Sequence, residues 1–181
     1  MRILTVVASA TGRTQRMAEA ITAGAADEGA EAHLLSAGEA SAEEVRNADA
    51  LVLGSGVHMG GIESSMRAFL ERTAPLWLQG ELVGKLGAAF VSAGAGARGG
   101  AELALISLLA PLAEHGMLLV TMHNRMVGFP SAGCHWGPVA WTTPRAGEPG
   151  PTEQHLEACR AHGSHIARCT ARWLAGRERA S

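Results

Sequence analysis

Charge of one sign, paired cysteines and long apolar runs are what this sequence has least of. Fifteen Lys and Arg against seventeen Asp and Glu leave a formal net charge of −2 at pH 7. Phosphate-backbone or anionic-membrane binding needs a basic surface, so neither nucleic acid nor membrane is the expected partner. The same balance argues against a strongly acidic electron shuttle. Three cysteines, Cys134, Cys159 and Cys169, show no CxxC spacing, which points to reduced thiols and a cytoplasmic protein. Cys159 and Cys169 share one helical pattern, roughly 15 Å apart along its axis, and cannot pair. The apolar stretch 101–120 is interrupted by Glu102, Pro111, Glu114 and His115, which argues against a membrane span. The apolar run 3–8 is shorter than a signal-peptide core, and Thr11, Arg13, Thr14 and Arg16 follow at once, so it reads as a first strand. Tyrosine is absent and aromatics total 4%, yet 47% hydrophobic residues against 18% charged exclude a disordered chain. No repeat, low-complexity tract or linker divides the sequence. Residues 1–181 are expected to form a single domain with a core of its own.

Glycine, by contrast, is plentiful at 23 residues, with no collagen period. Its placement follows a pattern of apolar run, Gly/Ser loop and helical stretch. Residues 3–8, 30–35, 50–54, 86–92 and 117–122 read as strands. Helical patterns span 13–28, 62–73, 100–115 and 152–176, with Met17, Ile21 and Ala25 marking the first. Pro111 is expected to kink or break the third. On the last, Trp173 is expected in the core and His155, His162 and His165 in solvent. Strands buried on both faces and alternating with helices predict an α/β fold. Its expected form is a doubly wound five-stranded parallel sheet of order 2-1-3-4-5, with helices on both faces and a crevice at the carboxyl ends of strands one and three.

Loops 9–14, 55–61, 93–100 and 123–151 would all leave that carboxyl edge. The last is a long stretch without regular pattern, which a compact domain keeps for a functional reason. Ser9-Ala10-Thr11-Gly12-Arg13-Thr14 offers three hydroxyls and a run of backbone N–H groups at a helix N-terminus, a cradle for phosphate. No Walker lysine follows, so a phosphomonoester suits it better than a magnesium triphosphate. On these residues alone, a simply capped turn remains the alternative. No G-x-S-x-G elbow is present for a hydrolase, and the first strand lacks the acidic pair of a phosphoacceptor receiver domain.

The hexapeptide 9–14 resembles the phosphate loop of flavodoxin-type FMN proteins. Further motifs are similar to the WrbA-type NAD(P)H:quinone oxidoreductases, which have a flavodoxin-like fold. These are Met66-Arg67-Ala68-Phe69-Leu70, Leu76-Trp77, Gly80-x-Leu82-x-Gly84-Lys85, Ser92-x-Gly94-x-Gly96 and Leu112-Ala113-x-His115-Gly116-Met117. The resemblance covers nearly the whole chain, and segment 77–84 has no equivalent in a plain flavodoxin. It implies non-covalent FMN, NAD(P)H as co-substrate, a quinone-like acceptor and a homodimer or homotetramer. Carried over by residue, Ser9, Thr11, Gly12, Arg13 and Thr14 hold the phosphate. Gly56, Val57, His58, Met59, Gly60 and Gly61 run beside the isoalloxazine, and Ser92, Ala93, Gly94, Ala95 and Gly96 line its pyrimidine side. His115 matches the histidine near the flavin, and Trp77 the aromatic that closes the site from a neighbouring subunit. Glycines there let backbone N–H groups approach the ring.

One loop departs from the family. Where Gly-Thr-Pro-Thr-Arg-aromatic-Gly-Asn is usual, this chain has Gly54-Ser55-Gly56-Val57-His58-Met59-Gly60-Gly61. Flavin binding through backbone groups tolerates that change; acceptor preference does not follow from the family there. The stretch between the second and third strands is also short for the family. His58 is read as an active-site acid or substrate contact, His115 as its catalytic companion, with a solvated loop residue the plainer alternative for His58. Cys134-His135-Trp136 makes a poor dyad, because adjacent residues on extended chain point apart. Zinc is not expected, since the His and Cys spacing fits no standard ligand pattern. The expected function is two-electron transfer from NAD(P)H to a quinone or similar flat acceptor by a ping-pong mechanism. The alternative is a flavodoxin-like electron carrier or FMN-binding module acting with a protein partner.

Overall fold

The computed structural model describes residues 1–94, 98–142 and 150–180. In chain order the elements are β1 (Arg2–Ala8), α1 (Arg13–Asp27), β2 (Glu31–Ser36), α2 (Ala42–Asn47), β3 (Ala50–His58), β4 (Gly61–Ile62), α3 (Ser64–Arg72) and α4 (Ala74–Leu78). They continue with β5 (Leu86–Ala93), α5 (Arg98–Glu114), β6 (Leu118–Leu119), α6 (Phe129–Ala132), β7 (Val139–Trp141) and α7 (Glu153–Ala180). The parallel sheet runs β2-β1-β3-β5-β6, which is the expected 2-1-3-4-5 order once the short β4 is set aside.

Alternation along the central strands explains the layering. Leu4, Val6, Leu51, Leu53, Ala89 and Val91 turn to one face, where Met66, Phe69, Leu76, Leu105 and Leu108 of α3, α4 and α5 cover them. Ile3, Val7, Val52, Ala88 and Phe90 turn to the other, against Met17, Ala18 and Ile21 of α1 and Cys159 and Ile166 of α7. Strands buried on both sides therefore read as continuous apolar runs rather than as alternation with polar residues. The two helices of the second layer touch backbone to backbone. A Cβ on Gly24 would lie 2.0 Å from the Arg160 carbonyl, and one on Gly163 would lie 2.0 Å from that of Ile21. Ser164 Oγ donates to the Gly24 carbonyl at 2.9 Å across the same contact.

The edge beyond β5 differs from the expected single fifth strand. β6 pairs only with the first residues of β5, Leu118 opposite Leu86. β7 pairs with its last residues, Val139 opposite Val91 and Trp141 opposite Ala93. One strand position is thus filled by two short pieces, and the segment between them bulges out and holds α6. The long loop 123–151 consequently contains a helix and a strand that no periodicity announced, because four and three residues are too few to show a period. β3 also runs on through His58, where a loop was expected from residue 55.

Three smaller expectations are corrected. α5 continues through Pro111 to Glu114 instead of breaking there. Trp173 is exposed and donates from Nε1 to the Gly84 carbonyl at 2.7 Å. His162 is fully buried, and His155 is buried as well, with Nδ1 taking a hydrogen bond from the Thr152 N–H at 3.1 Å. A neutral imidazole can sit on the apolar side of α7, and residue type alone does not report that.

Candidate active site

β1 ends at Ala8, and the chain turns through Gly12, whose φ of 77° lies in the left-handed region that glycine occupies without steric cost. That turn starts α1 with its first N–H groups facing the carboxyl edge. Ser9 Oγ accepts from the Gln15 N–H at 3.1 Å, so one of the loop hydroxyls caps the helix. Thr14 is buried, and its Oγ1 lies 2.7 Å from Ser92 Oγ at the end of β5. This hydroxyl bridge, spanning 78 residues of sequence, locks the first loop to the third.

β3 passes between those two loops. At its end His58 pairs with Gly61 of β4, and Met59 and Gly60 form the two-residue turn with φ of 49° and 82°. Positive φ at both central positions is the pattern of a type I′ hairpin turn, which matches the strand twist. Met59 is an unusual residue for it, because an L side chain is strained there. Its side chain is fully exposed at the rim.

These pieces enclose a cavity of about 140 Å³, lined by Thr11, Arg13, Thr14, Gly56, Val57, His58, Ser92, Ala93 and Gly94. Ser9, Gly12, Met59, Gly60 and Gly61 belong to the same two loops but do not line it. Ala95 and Gly96 lie outside the described residues. Two further residues line it that the sequence reading missed, Glu63 and Thr142. Glu63 Oε1 accepts from the Ala10 N–H at 3.2 Å and lies 3.4 Å from His58 Nε2. Thr142, just past β7, ties that strand to the sheet through its N–H to the Ala93 carbonyl at 2.8 Å. No local motif marks either; only the split sheet edge and the hairpin bring them in.

His115 does not join the crevice. It follows α5 and precedes β6, at the amino edge of the sheet, with the length of β5 between it and the crevice, about 25 Å of strand. There it lines a second cavity of about 150 Å³ with Arg67, Thr73, Trp77 and Pro111. Thr73 Oγ1 donates to the Leu70 carbonyl at 2.7 Å, so it accepts from His115 Nε2–H at 2.9 Å. That leaves His115 Nδ1 as a buried acceptor without a protein partner. Burial lowers the pKa of His115 from its ordinary value, partly offset by the Glu114 carboxylate, and keeps the ring neutral.

The Cys134-His135-Trp136 run forms no dyad. His135 Nδ1 turns to the Met122 carbonyl at 3.4 Å, and burial pushes the Cys134 thiol up. No cluster of three metal-ligating side chains occurs among the described residues. All three cysteines are free thiols. No helix among the described residues is long and apolar enough to cross a membrane.

The donor set of the crevice fits a flavin mononucleotide. Hydroxyls and helix-terminal N–H groups meet at one end, the bare Gly56 backbone lies beside them, and a Cβ on Gly56 would already fall 2.7 Å from Glu63 Oε1.

Comparison with known proteins agrees. The family described as Flavodoxin domain matches residues 4–101. A protein of Sinorhizobium fredii named NAD(P)H dehydrogenase (quinone) is 31% identical over 196 residues, covering 94% of this chain and 98% of its own. One of the same name from Paraburkholderia phymatum is 33% identical over 196 residues, with the same coverage of 94% and 98%. Among solved structures, a WrbA-like flavodoxin protein from Agrobacterium tumefaciens superposes with a TM-score of 0.72 at 24% identity, covering 94% of this chain and 98% of that one. Oxidised Flavodoxin 1 from Bacillus cereus superposes with a TM-score of 0.70 at 19% identity, covering 93% and 98%. The structures show the fold, and the two sequence relatives extend over almost the full length of both chains. With its phosphate-type loop, its glycine-lined crevice and these relatives, the chain belongs to the flavodoxin-like NAD(P)H dehydrogenase (quinone) family.

Proposed function

We propose that this protein is an FMN-dependent oxidoreductase that moves two electrons from NAD(P)H to a quinone or a similar flat electrophilic acceptor. The observation that carries this reading is the Thr14–Ser92 hydroxyl bridge at 2.7 Å, which sets a phosphate cradle and the bare backbone of β3 on one crevice. The name shared by the sequence relatives, NAD(P)H dehydrogenase (quinone), supports the reaction class. The chemistry such a cofactor supplies is two-electron transfer, hydride in from a nicotinamide and two electrons out to the acceptor. The sequence holds no second dinucleotide motif, so both partners use one face in turn, a ping-pong order. Each chain is read as one domain with one crevice, working in the reducing cytoplasm.

The chain's own residues divide the work. Ser9, Thr11, Gly12, Arg13 and Thr14 bind the phosphate through hydroxyls and N–H groups. Residues 56–61 present backbone to the ring, and residues 92–96 to its pyrimidine side. His58, beside the crevice with Nε2 toward Glu63, keeps Nδ1 for a proton at the acceptor. His115 and Trp77 reach a crevice only from a second copy of the chain, with exposed Trp77 making the contact and His115 lining the cavity beside it. Exposed Trp77, Leu78, Val83, Leu118 and Leu119 provide the apolar surface for such an assembly, a homodimer or homotetramer.

An absorption spectrum before and after anaerobic NADPH tests the reading. Flavin bands that bleach in one step support it. Bands that neither NADPH nor NADH bleaches would put the electron-carrier reading in its place, and a protein that fails to take up FMN would sink both.

A further inference from the structure

Glu63 is the one acid among the described residues lining the crevice, and its side chain behaves unlike a helix cap. Glu63 occupies the N-cap position of α3, yet its side chain makes no capping hydrogen bond to that helix. The carboxylate crosses instead to the phosphate loop, where Oε1 accepts from the Ala10 N–H at 3.2 Å. Its backbone N–H is anchored by Ser55 Oγ at 2.9 Å, and only 11% of the side chain is exposed. A negative charge is therefore seated on the donor at the mouth of a loop whose chemistry is to bind a dianion.

We propose that Glu63 is a built-in anion that holds the phosphate loop until a phosphate displaces it, and so limits how strongly the crevice prefers FMN over a phosphate-free flavin. This rests on the flavin reading of the crevice. The Ala10 N–H has one hydrogen to give, and a carboxylate and a phosphate cannot both take it. Two negative charges brought into one partly buried crevice also repel. His58 Nε2, 3.4 Å from the same oxygen, is the neighbouring group that receives the displaced carboxylate. Gly56 leaves the space for this, since any Cβ there would fall 2.7 Å from Oε1 and 3.2 Å from His58 Nε2. Loading the loop thus hands Glu63 from the backbone to the imidazole, and phosphate binding is coupled to the position of His58.

The test compares FMN and riboflavin binding, followed by flavin fluorescence, in the wild-type protein and in Glu63→Gln. Glutamine keeps an oxygen for Ala10 but loses the charge. FMN affinity is expected to tighten about tenfold, the worth of one charge-assisted contact, with riboflavin affinity unchanged. Unchanged or weaker FMN binding would overturn the proposal, and so would equal tightening of riboflavin, which has no phosphate to displace anything. Titration of each protein with inorganic phosphate, read at the Ala10 amide by NMR, judges the same proposal without any flavin. Tighter phosphate binding in Glu63→Gln supports it, and equal binding overturns it. If phosphate discriminates as expected but neither protein binds FMN, the flavin reading fails and the Glu63 inference stands. Glu63→Ala gives the same readouts should Glu63→Gln fold poorly.

Discussion

The two edges of the sheet each carry a cavity and a histidine, and they are built on opposite principles. At the carboxyl edge the walls are loops, held together by hydroxyl and backbone hydrogen bonds between segments far apart in sequence, Thr14 to Ser92 and Ala10 to Glu63. At the amino edge the walls are helices, with Arg67, Trp77 and Pro111 projecting from α3, α4 and α5 and Thr73 at the joint between the first two. His58 is half exposed beside a carboxylate, whereas His115 is buried, neutral and bound to Thr73. Cavities of about 140 and 150 Å³ are each small for a cofactor, since ligand pockets usually run about 300–1,000 Å³. The difference teaches that loops bring hydroxyls and backbone N–H groups together at the first edge, whereas helices at the second bury one neutral histidine against a threonine. The assembly proposed above would bring the two edges of different copies together.

The strongest blow to that contrast is at the polar edge. Thr11→Ala with Thr14→Ala is expected to weaken FMN binding by about a hundredfold or more, as two hydrogen bonds to a charged group are lost. Flavin fluorescence titration reads it, with circular dichroism confirming the fold. Unchanged affinity would place the phosphate elsewhere. At the other edge, His115→Ala is expected to leave FMN phosphate binding nearly intact and to cut turnover. Mixing it with the double threonine variant should restore part of the activity if copies share a site. No recovery after co-refolding would mean that each chain works alone.

A third histidine calibrates the comparison. Burial, with the His165 charge adding, pushes His162 down to about 3, and both ring nitrogens lack a protein partner. The folded state keeps it neutral while the unfolded chain takes a proton below its ordinary value near 6.5. Stability is therefore full above that pH and falls as pH drops from about 6.5 toward 3. His162→Leu is expected to remove most of this slope, a gain of about 2 kcal/mol at pH 5 by denaturant unfolding. An unchanged slope would show that His162 finds a proton acceptor when charged. The smallest effect belongs to the rim. Met59→Asn should relieve the strained turn by about 1 kcal/mol and raise the melting temperature by a few degrees. It should also shift preference among quinone acceptors, compared by turnover per bound flavin.

Much of the crevice was legible because its parts are local. The apolar runs that became β1, β3 and β5 and the Ser9–Thr14 loop each announce themselves within a few residues, and the parallel order follows from their alternation with helices. The missed parts are short or long-range. Ser41 and Glu44 spell a capping box that starts α2, a signal present in the sequence and passed over. β4 and β7 carry no readable period, so Glu63 and Thr142 could not be assigned to the crevice.

By itself, the sequence determined the layered α/β plan and the phosphate-type loop, because burial pattern and local turn chemistry are written residue by residue, while the family came through the motifs that resemble it. Tertiary structure alone decided that His115 sits at the far edge, that His162 is buried and Trp173 is not, and that the Glu63 carboxylate rests on the Ala10 N–H. Each of those depends on which distant segment packs against a side chain, and periodicity along one segment says nothing of its neighbours in space.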